Sequence, residues 1–518
     1  MPRAAGPARR TATSGTRRDL LRRGVGGAAA LALSGAAAGA LGSAAEAVAA
    51  PARAPYALGF TSMTAETRVP ALPVEGTIPP WVSGSLLRNG PALFEVGEEI
   101  FNHWFDGLAM LHAFSIERGR VGYANRFLRS SAYEAWKQQG KILYSEFGTD
   151  PCRSVFSGVS SVPISAPIPN ANVSLEAWAN GFRAHTEVPI PVRFDPATLA
   201  TLGVVPGSSG QMGTAHPHGD LVTRERFSYE VSLAPPKTGV RVLVERGGKV
   251  RELAFLEAAE PGYMHSFALT RRYVVLFQQP FIVNPGSFVS GPPKPIVEHF
   301  RWAGRTQPAK VVVIDRHKGG VVRTIELDPF FVFHHVNAHE RGGTILMDVS
   351  GHIDSRIINA LYLKNLRRAD QRMPPVRLKR LTVDVARGKV RVEHLADASI
   401  ELPRVNYGRV NQHAYRYAYG IGQRSPKSGF VDQLVKIDVA TGAARLWREA
   451  GAYPGESVFV ARPGAIREDD GVVLSVVLDA GRHTSYLLVL DGQTFEERAR
   501  AAVPHHIPFG FHGIFAKV

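Results

Sequence analysis

Val311-Val312-Val313-Ile314-Asp315 runs through Gly319-Gly320 into Val321-Val322. A β-branched run, a short acidic and glycine-containing break, and a second β-branched run together describe a hairpin. The carboxylate can take backbone N–H groups of the turn, and glycine supplies the turn conformations closed to other residues. The same grammar recurs at Phe114-Ser115-Ile116-Glu117 before Gly119-Arg120-Val121, and at Leu381-Thr382-Val383-Asp384 before Gly388-Lys389-Val390. Further cases are Val435-Lys436-Ile437-Asp438 before Gly442, and Leu487-Leu488-Val489-Leu490-Asp491-Gly492, with a looser form at Arg193-Phe194-Asp195-Pro196. The turn acids Asp315, Asp384, Asp438 and Asp491 lie 53 to 69 residues apart. Repeated hairpins at that period, with no long amphipathic helix between them, predict an all-β propeller. The spacing is too long for β-helix coils, and no linker divides the chain into sandwiches. The residues after position 50 suffice for about seven blades of this length. Segment 154–172, rich in Ser, Pro, Val and Ile, reads as a long surface loop.

The chain has 518 residues, 45% hydrophobic and 20% charged, enough for a large core. Its one cysteine, Cys152, rules out a disulfide framework and a thiolate metal site, so a transition metal would have to bind His, Asp or Glu. Eighteen histidines make that feasible. Residues 1–50 read as an export signal outside the fold, leaving 51–518 as one propeller domain. Thr16-Arg17-Arg18-Asp19-Leu20-Leu21 has the twin-arginine pattern, an Ala/Gly/Leu run follows from Gly24 to Ala45, and Ala47-Val48-Ala49 offers a small-residue cleavage site. The expected location is therefore periplasmic, cell-envelope or extracellular. The formal net charge is +16, of which residues 1–50 carry five, with seven arginines against Asp19 and Glu46. The remaining Lys and Arg are scattered, which argues against nucleic acid and suits peripheral contact with anionic lipid.

Four histidines stand in distinctive settings: His216 in Thr214-Ala215-His216-Pro217-His218-Gly219-Asp220, His265 in Met264-His265-Ser266-Phe267, His334 in Phe333-His334-His335-Val336-Asn337, and His512 in Phe511-His512-Gly513. Their separations of 49, 69 and 178 residues correspond to about one blade, one blade and three. A propeller can bring one side chain from each of several blades to its axis. The four are therefore expected to converge on one metal ion. His218, His335, His339, His505 and His506 are read as structural or surface residues. His339-Glu340 lacks the second histidine of a zinc-protease motif, and neither a Gly-x-Ser-x-Gly elbow nor a Walker loop is present.

Taken together, Arg88-Asn89-Gly90-Pro91, Phe105-Asp106-Gly107, Ser145-Glu146-Phe147-Gly148-Thr149, Asp150-Pro151-Cys152, the four histidine stretches, Tyr417-Ala418-Tyr419-Gly420 and Asp469-Asp470-Gly471 to Ser475 resemble the carotenoid oxygenase family across residues 55–518. That family comprises carotenoid, apocarotenoid and stilbene cleavage dioxygenases and a retinoid isomerase. The resemblance implies a seven-bladed propeller with loops and short helices capping the metal face. It implies one Fe(2+) per chain on His216, His265, His334 and His512, oriented through Glu187, Glu401 and Glu456, with Thr186 beside the open coordination position. It further implies an oxidoreductase that adds O2 across one C=C bond of a carotenoid, apocarotenoid or similar conjugated alkene, giving two carbonyl products. Alternatives within the same fold are stilbene-type cleavage, a retinoid isomerase-like reaction without O2, and a binding role without catalysis. Candidate tunnel residues are Trp104, Phe105 and Phe267. Family members dock to membranes near the segment corresponding to 150–170; here Val155-Phe156 and Val159 are followed by Ser and Pro rather than aromatics, which favours a more soluble substrate.

Overall fold

The computed structural model describes residues 52–150, 169–178, 181–205, 210–233, 237–288, 290 and 294–517. The expected export signal, Cys152 and the expected docking segment around Val155, Phe156 and Val159 lie outside the described residues.

Among the described residues, seven antiparallel sheets of four to six strands succeed one another along the chain, with two additional two-stranded ribbons. The Val311 run forms the strand Ala309–Asp315, paired on one side with Tyr273–Gln278 and on the other with Val321–Leu327. It is a central strand, and both of its faces are buried. Val312 and Ile314 pack into the cluster shared with the preceding sheet, which contains Phe227, Val242 and Val244. Val311 and Val313 pack on the other side with Ile345, Met347 and Val383 of the following sheet. Burial on both faces explains why this strand is continuously apolar instead of alternating. Each such valine contributes on the order of 1.5–3 kcal/mol of burial. The turn acid works as the sequence suggests. Asp315 Oδ1 accepts the N–H of His317 and Lys318 at 2.9 and 2.8 Å. Asp384, Asp438 and Asp491 repeat the arrangement, accepting from Arg387, Ala440 and Thr494 at 2.9, 3.0 and 2.8 Å.

The ring is closed from both ends of the chain. The early strand Val74–Gly76 pairs with Glu497–Ala502 in the last sheet. The terminal strand Gly513–Ala516 pairs with Gly84–Leu93 in the first. The second closure includes a close backbone approach. A Cβ on Gly90 would stand 2.3 Å from Gly510 Cα, in the segment that leads into His512. Gly90→Ala should therefore cost roughly 1–3 kcal/mol by overpacking, measured as a lower urea midpoint than wild type. An unchanged midpoint would show that the closure yields freely.

Helices are few and short. Ser131–Gln139 is capped by Ser130, whose Oγ accepts the Tyr133 N–H at 3.1 Å, and ends at left-handed Gly140. Arg356–Ala360 and Leu363–Leu366 sit over the central cavity, to which Ile357 and Leu361 contribute. Among the described residues no helix is long and apolar enough to cross a membrane. One expectation needs correction. The end of segment 154–172 is not surface loop: Asn170, Ala171 and Asn172 are buried. Their amides serve backbone groups that a strand ladder leaves open, with Asn170 Nδ2 donating to Asp106 O and Asn172 Nδ2 to Phe105 O at 3.1 and 2.7 Å.

Candidate metal centre

The edge strands that face the axis touch across successive sheets, and each of the seven sheets contributes one of the four histidines or of the three acids that pair with them. His216 stands between the short strands Met212–Gly213 and His218–Asp220. His265 precedes Ala268–Leu269, and His512 precedes Gly513–Ala516. His334 lies within Phe331–Arg341, where the ladder slips between Val332 and His335. That bulge turns the His334 ring out of the regular alternation and toward the axis. The other three sheets supply Glu187, after Gly181–His185, Glu401, at the start of Glu401–Arg404, and Glu456, between Ala452–Pro454 and Val458–Ala461.

One ring nitrogen from each of His216, His265, His334 and His512 lies within 4.8 Å of the others. His216 Nε2 is 2.9 Å from His265 Nε2, and His334 Nε2 is 3.2 Å from His512 Nε2. On the outer side of the rings, His265 Nδ1 pairs with Glu187 Oε1, His334 Nδ1 with Glu401 Oε2, and His512 Nδ1 with Glu456 Oε1, each at 2.7 Å. Each carboxylate accepts a hydrogen bond from Nδ1–H, and the ring that keeps its proton there turns a bare Nε2 lone pair toward the other two. Burial holds His216 well below the usual imidazole range and His512 down to about 3, so neutral rings are the stable form. Lone pairs converging at these distances repel unless a cation lies among them. The donor set thus fits a divalent transition metal.

The acids are themselves anchored. Burial alone would push Glu401 up, but His334 and His352 bring it well below the usual carboxylate range. His352 Nε2 reaches Glu401 Oε1 at 2.8 Å. Glu456 is also raised by burial, yet Arg404, Arg88 and His512 hold it at about 2. Arg88 pairs with it directly and donates to Phe511 O at 3.0 Å, and Gly513 N–H adds a contact at 2.8 Å. Tyr263 O–H donates to Glu187 Oε1 at 2.6 Å. Sequence reading missed His352, Arg404 and Tyr263 altogether. Arg88 belongs to the Arg-Asn-Gly-Pro stretch noted above, but nothing in its neighbours signalled a partner 368 residues away.

The centre opens onto a cavity of about 180 Å³ with mainly apolar walls, which include Trp104, Phe105, Phe333 and Phe511. Thr186 lies on that wall beside Glu187. Phe267, expected to line the tunnel, does not. Its ring is fully buried against His218 and Tyr229 within the packing between sheets. Among the other histidines, His218 is tied to Phe267 O at 3.0 Å, and His335 Nδ1 donates to Ser266 Oγ at 2.8 Å, the Ser266 hydroxyl proton going to Phe333 O.

Comparison with known proteins settles the family. A family model described as retinal pigment epithelial membrane protein matches residues 60–517. The chain belongs to this family, the carotenoid oxygenases. It is 32% identical to the mitochondrial carotenoid-cleaving dioxygenase of Mustela putorius furo, over 89% of this chain and 96% of that protein. Identity to the beta,beta-carotene 15,15'-dioxygenase of Mus musculus is also 32%, over 85% and 88%. Among solved structures, a variant of Synechocystis apocarotenoid oxygenase superposes with TM-score 0.80 at 26% identity, covering 90% of this chain and all of that one. A cobalt-substituted form of that oxygenase gives TM-score 0.79 with 90% and 98% coverage.

As in other carboxylate–histidine–metal arrangements, the outer acids should tune affinity. Glu187→Gln is expected to lower metal affinity about 10- to 100-fold, read by competition with a chelator. Affinity equal to wild type would mean that Tyr263 and packing alone aim His265.

Proposed function

We propose that the protein is an iron(II) dioxygenase that cleaves one C=C bond of a carotenoid or apocarotenoid to two carbonyl products. The observation that carries the reading is the convergence of four imidazole nitrogens, three of them with a carboxylate on the outer Nδ1, at the wall of an apolar cavity. Its relatives are named for this activity, and the Synechocystis enzyme has been solved in a cobalt-substituted form. His216, His265, His334 and His512 would hold the iron, and Glu187, Glu401 and Glu456 would fix three of the rings in the tautomer that presents Nε2. When bound, iron supplies activation of dioxygen. No carboxylate is among the ligands, so the site keeps the full double charge of the ion. Phe105, Phe333 and Phe511 exclude water and hold a planar, apolar polyene against the centre, a placement that substitutes for entropy otherwise lost on reaction. Both oxygen atoms of O2 end in the products, so the reaction needs no external reductant.

The test is product analysis after incubating the iron-loaded protein with carotenoids, apocarotenals and hydroxystilbenes under labelled dioxygen. Two carbonyl products carrying label are expected from a polyene. Turnover without label would identify an isomerase-type reaction, and cleavage confined to stilbenes would move the substrate class.

A further inference from the structure

Glu146 stands on the cavity wall beside Phe147. The other carboxyl groups on that wall are paired: Glu187 with His265 and Tyr263, Glu401 with His334 and His352. Glu146 is not. Only its backbone N–H is engaged, with Thr149 O at 2.9 Å. Its side chain has no hydrogen-bond or ion-pair partner among the described residues. The polar groups adjacent to it in the chain bond one another instead. Asp106 accepts Thr149 Oγ1–H at 2.6 Å and Gly148 N–H at 3.0 Å. Ser145 Oγ donates to Asp150 Oδ2 at 2.6 Å. A lone polar group in an apolar enclosure costs stability unless something pairs with it. In this cavity the missing partner would be the substrate.

We propose that Glu146 is the specificity-determining residue of the cavity, hydrogen-bonding the carbonyl oxygen of an oxygenated polyene. This rests on the cleavage reading above and names its substrate class: an apocarotenal or apocarotenone rather than a hydrocarbon carotene. Burial, with the Asp106 carboxylate adding to it, pushes the Glu146 carboxyl well above its usual range. It therefore keeps its proton and acts as an O–H donor, which matches a carbonyl acceptor. A hydrocarbon of the same length would leave that donor unpaired. Sites built around a polar group reject analogues lacking its partner far more sharply than apolar pockets reject a change of size.

The experiment compares an apocarotenal with a hydrocarbon of equal conjugated length on wild type, Glu146→Leu and Glu146→Gln. Two quantities are read: KM for cleavage, and, independently of turnover, Kd from quenching of tryptophan fluorescence. Glu146→Leu should weaken the aldehyde about tenfold and leave the hydrocarbon within about twofold. Glu146→Gln, which keeps an N–H donor, should stay within about threefold of wild type for the aldehyde. Leu removes an unpaired polar group, so the unfolding temperature should not fall. Should it fall, Glu146→Met provides the same comparison. Equal weakening of both ligands, or of neither, would overturn the assignment. If wild type binds both compounds and cleaves neither, the cleavage reading fails, while the ratio of the two Kd values still decides the role of Glu146.

Discussion

His334→Ala is expected to abolish stoichiometric iron binding and to lower alkene cleavage at least about 10³-fold, since a metal centre of this kind supplies several kcal/mol to its reaction. The substitution does more than remove one donor. Glu401 would keep His352 at 2.8 Å but lose the imidazole that accounts for much of its stabilisation as a carboxylate. Three imidazoles would remain, each beside a strand of a different sheet. Metal analysis after exhaustive dialysis and assay of carbonyl products test this together. A His334→Ala protein that retains one tightly held iron and full turnover would show that the four-histidine cluster is not the reactive centre.

The second large effect should come from a residue that touches neither metal nor substrate. Arg88 is 5% exposed and Glu456 fully buried, and they face each other directly behind His512. Removing one member of a buried ion pair leaves the other charge uncompensated, at a cost of about 3–5 kcal/mol. Arg88→Met should therefore lower the free energy of unfolding by that amount in urea titration. It should also weaken metal affinity, because Glu456 would hold His512 with support only from the Gly513 N–H at 2.8 Å and the more exposed Arg404 at 3.7 Å. Combining Arg88→Met with Glu456→Gln should recover part of the lost stability, since both charges are then gone. If Arg88→Met is as stable as wild type, the pair is not the anchor of the ring closure.

Legibility of the sequence divided along the distinction between local and remote causes. The hairpins could be read because their signals are local: a β-branched run such as Val311–Ile314 and an acid that caps its own turn two or three residues on. The four histidines could be read because blade-length spacing converts sequence distance into angular position around an axis. Assignment of Glu187, Glu401 and Glu456 came through family resemblance, and the hydrogen bonds to His265, His334 and His512 give it a geometry. What could not be read depends on contacts fixed only by closure of the ring. Arg88 and Glu456 are 368 residues apart, Trp104 reaches Phe509 O, and Glu401 is shared with His352, whose sequence neighbours Gly351 and Ile353 carry no hint of a site. Phe267 misled for the opposite reason. Its near neighbour His265 faces the axis, but the chain bends at His265 before the strand Ala268–Leu269 begins, so the rule that residues two apart share a face fails there and Phe267 enters the packing between sheets. Asn170, Ala171 and Asn172 looked like loop because polar side chains that satisfy buried backbone have the composition of exposed ones.

The central claim is that His216, His265, His334 and His512 share one ion. Diffraction from iron-loaded crystals at wavelengths on either side of the iron edge tests it most directly. A single anomalous peak, bonded to the Nε2 atoms of these four residues and to no carboxylate, is the predicted result. A peak elsewhere in the chain, or one that leaves any of the four rings unbound, would contradict it.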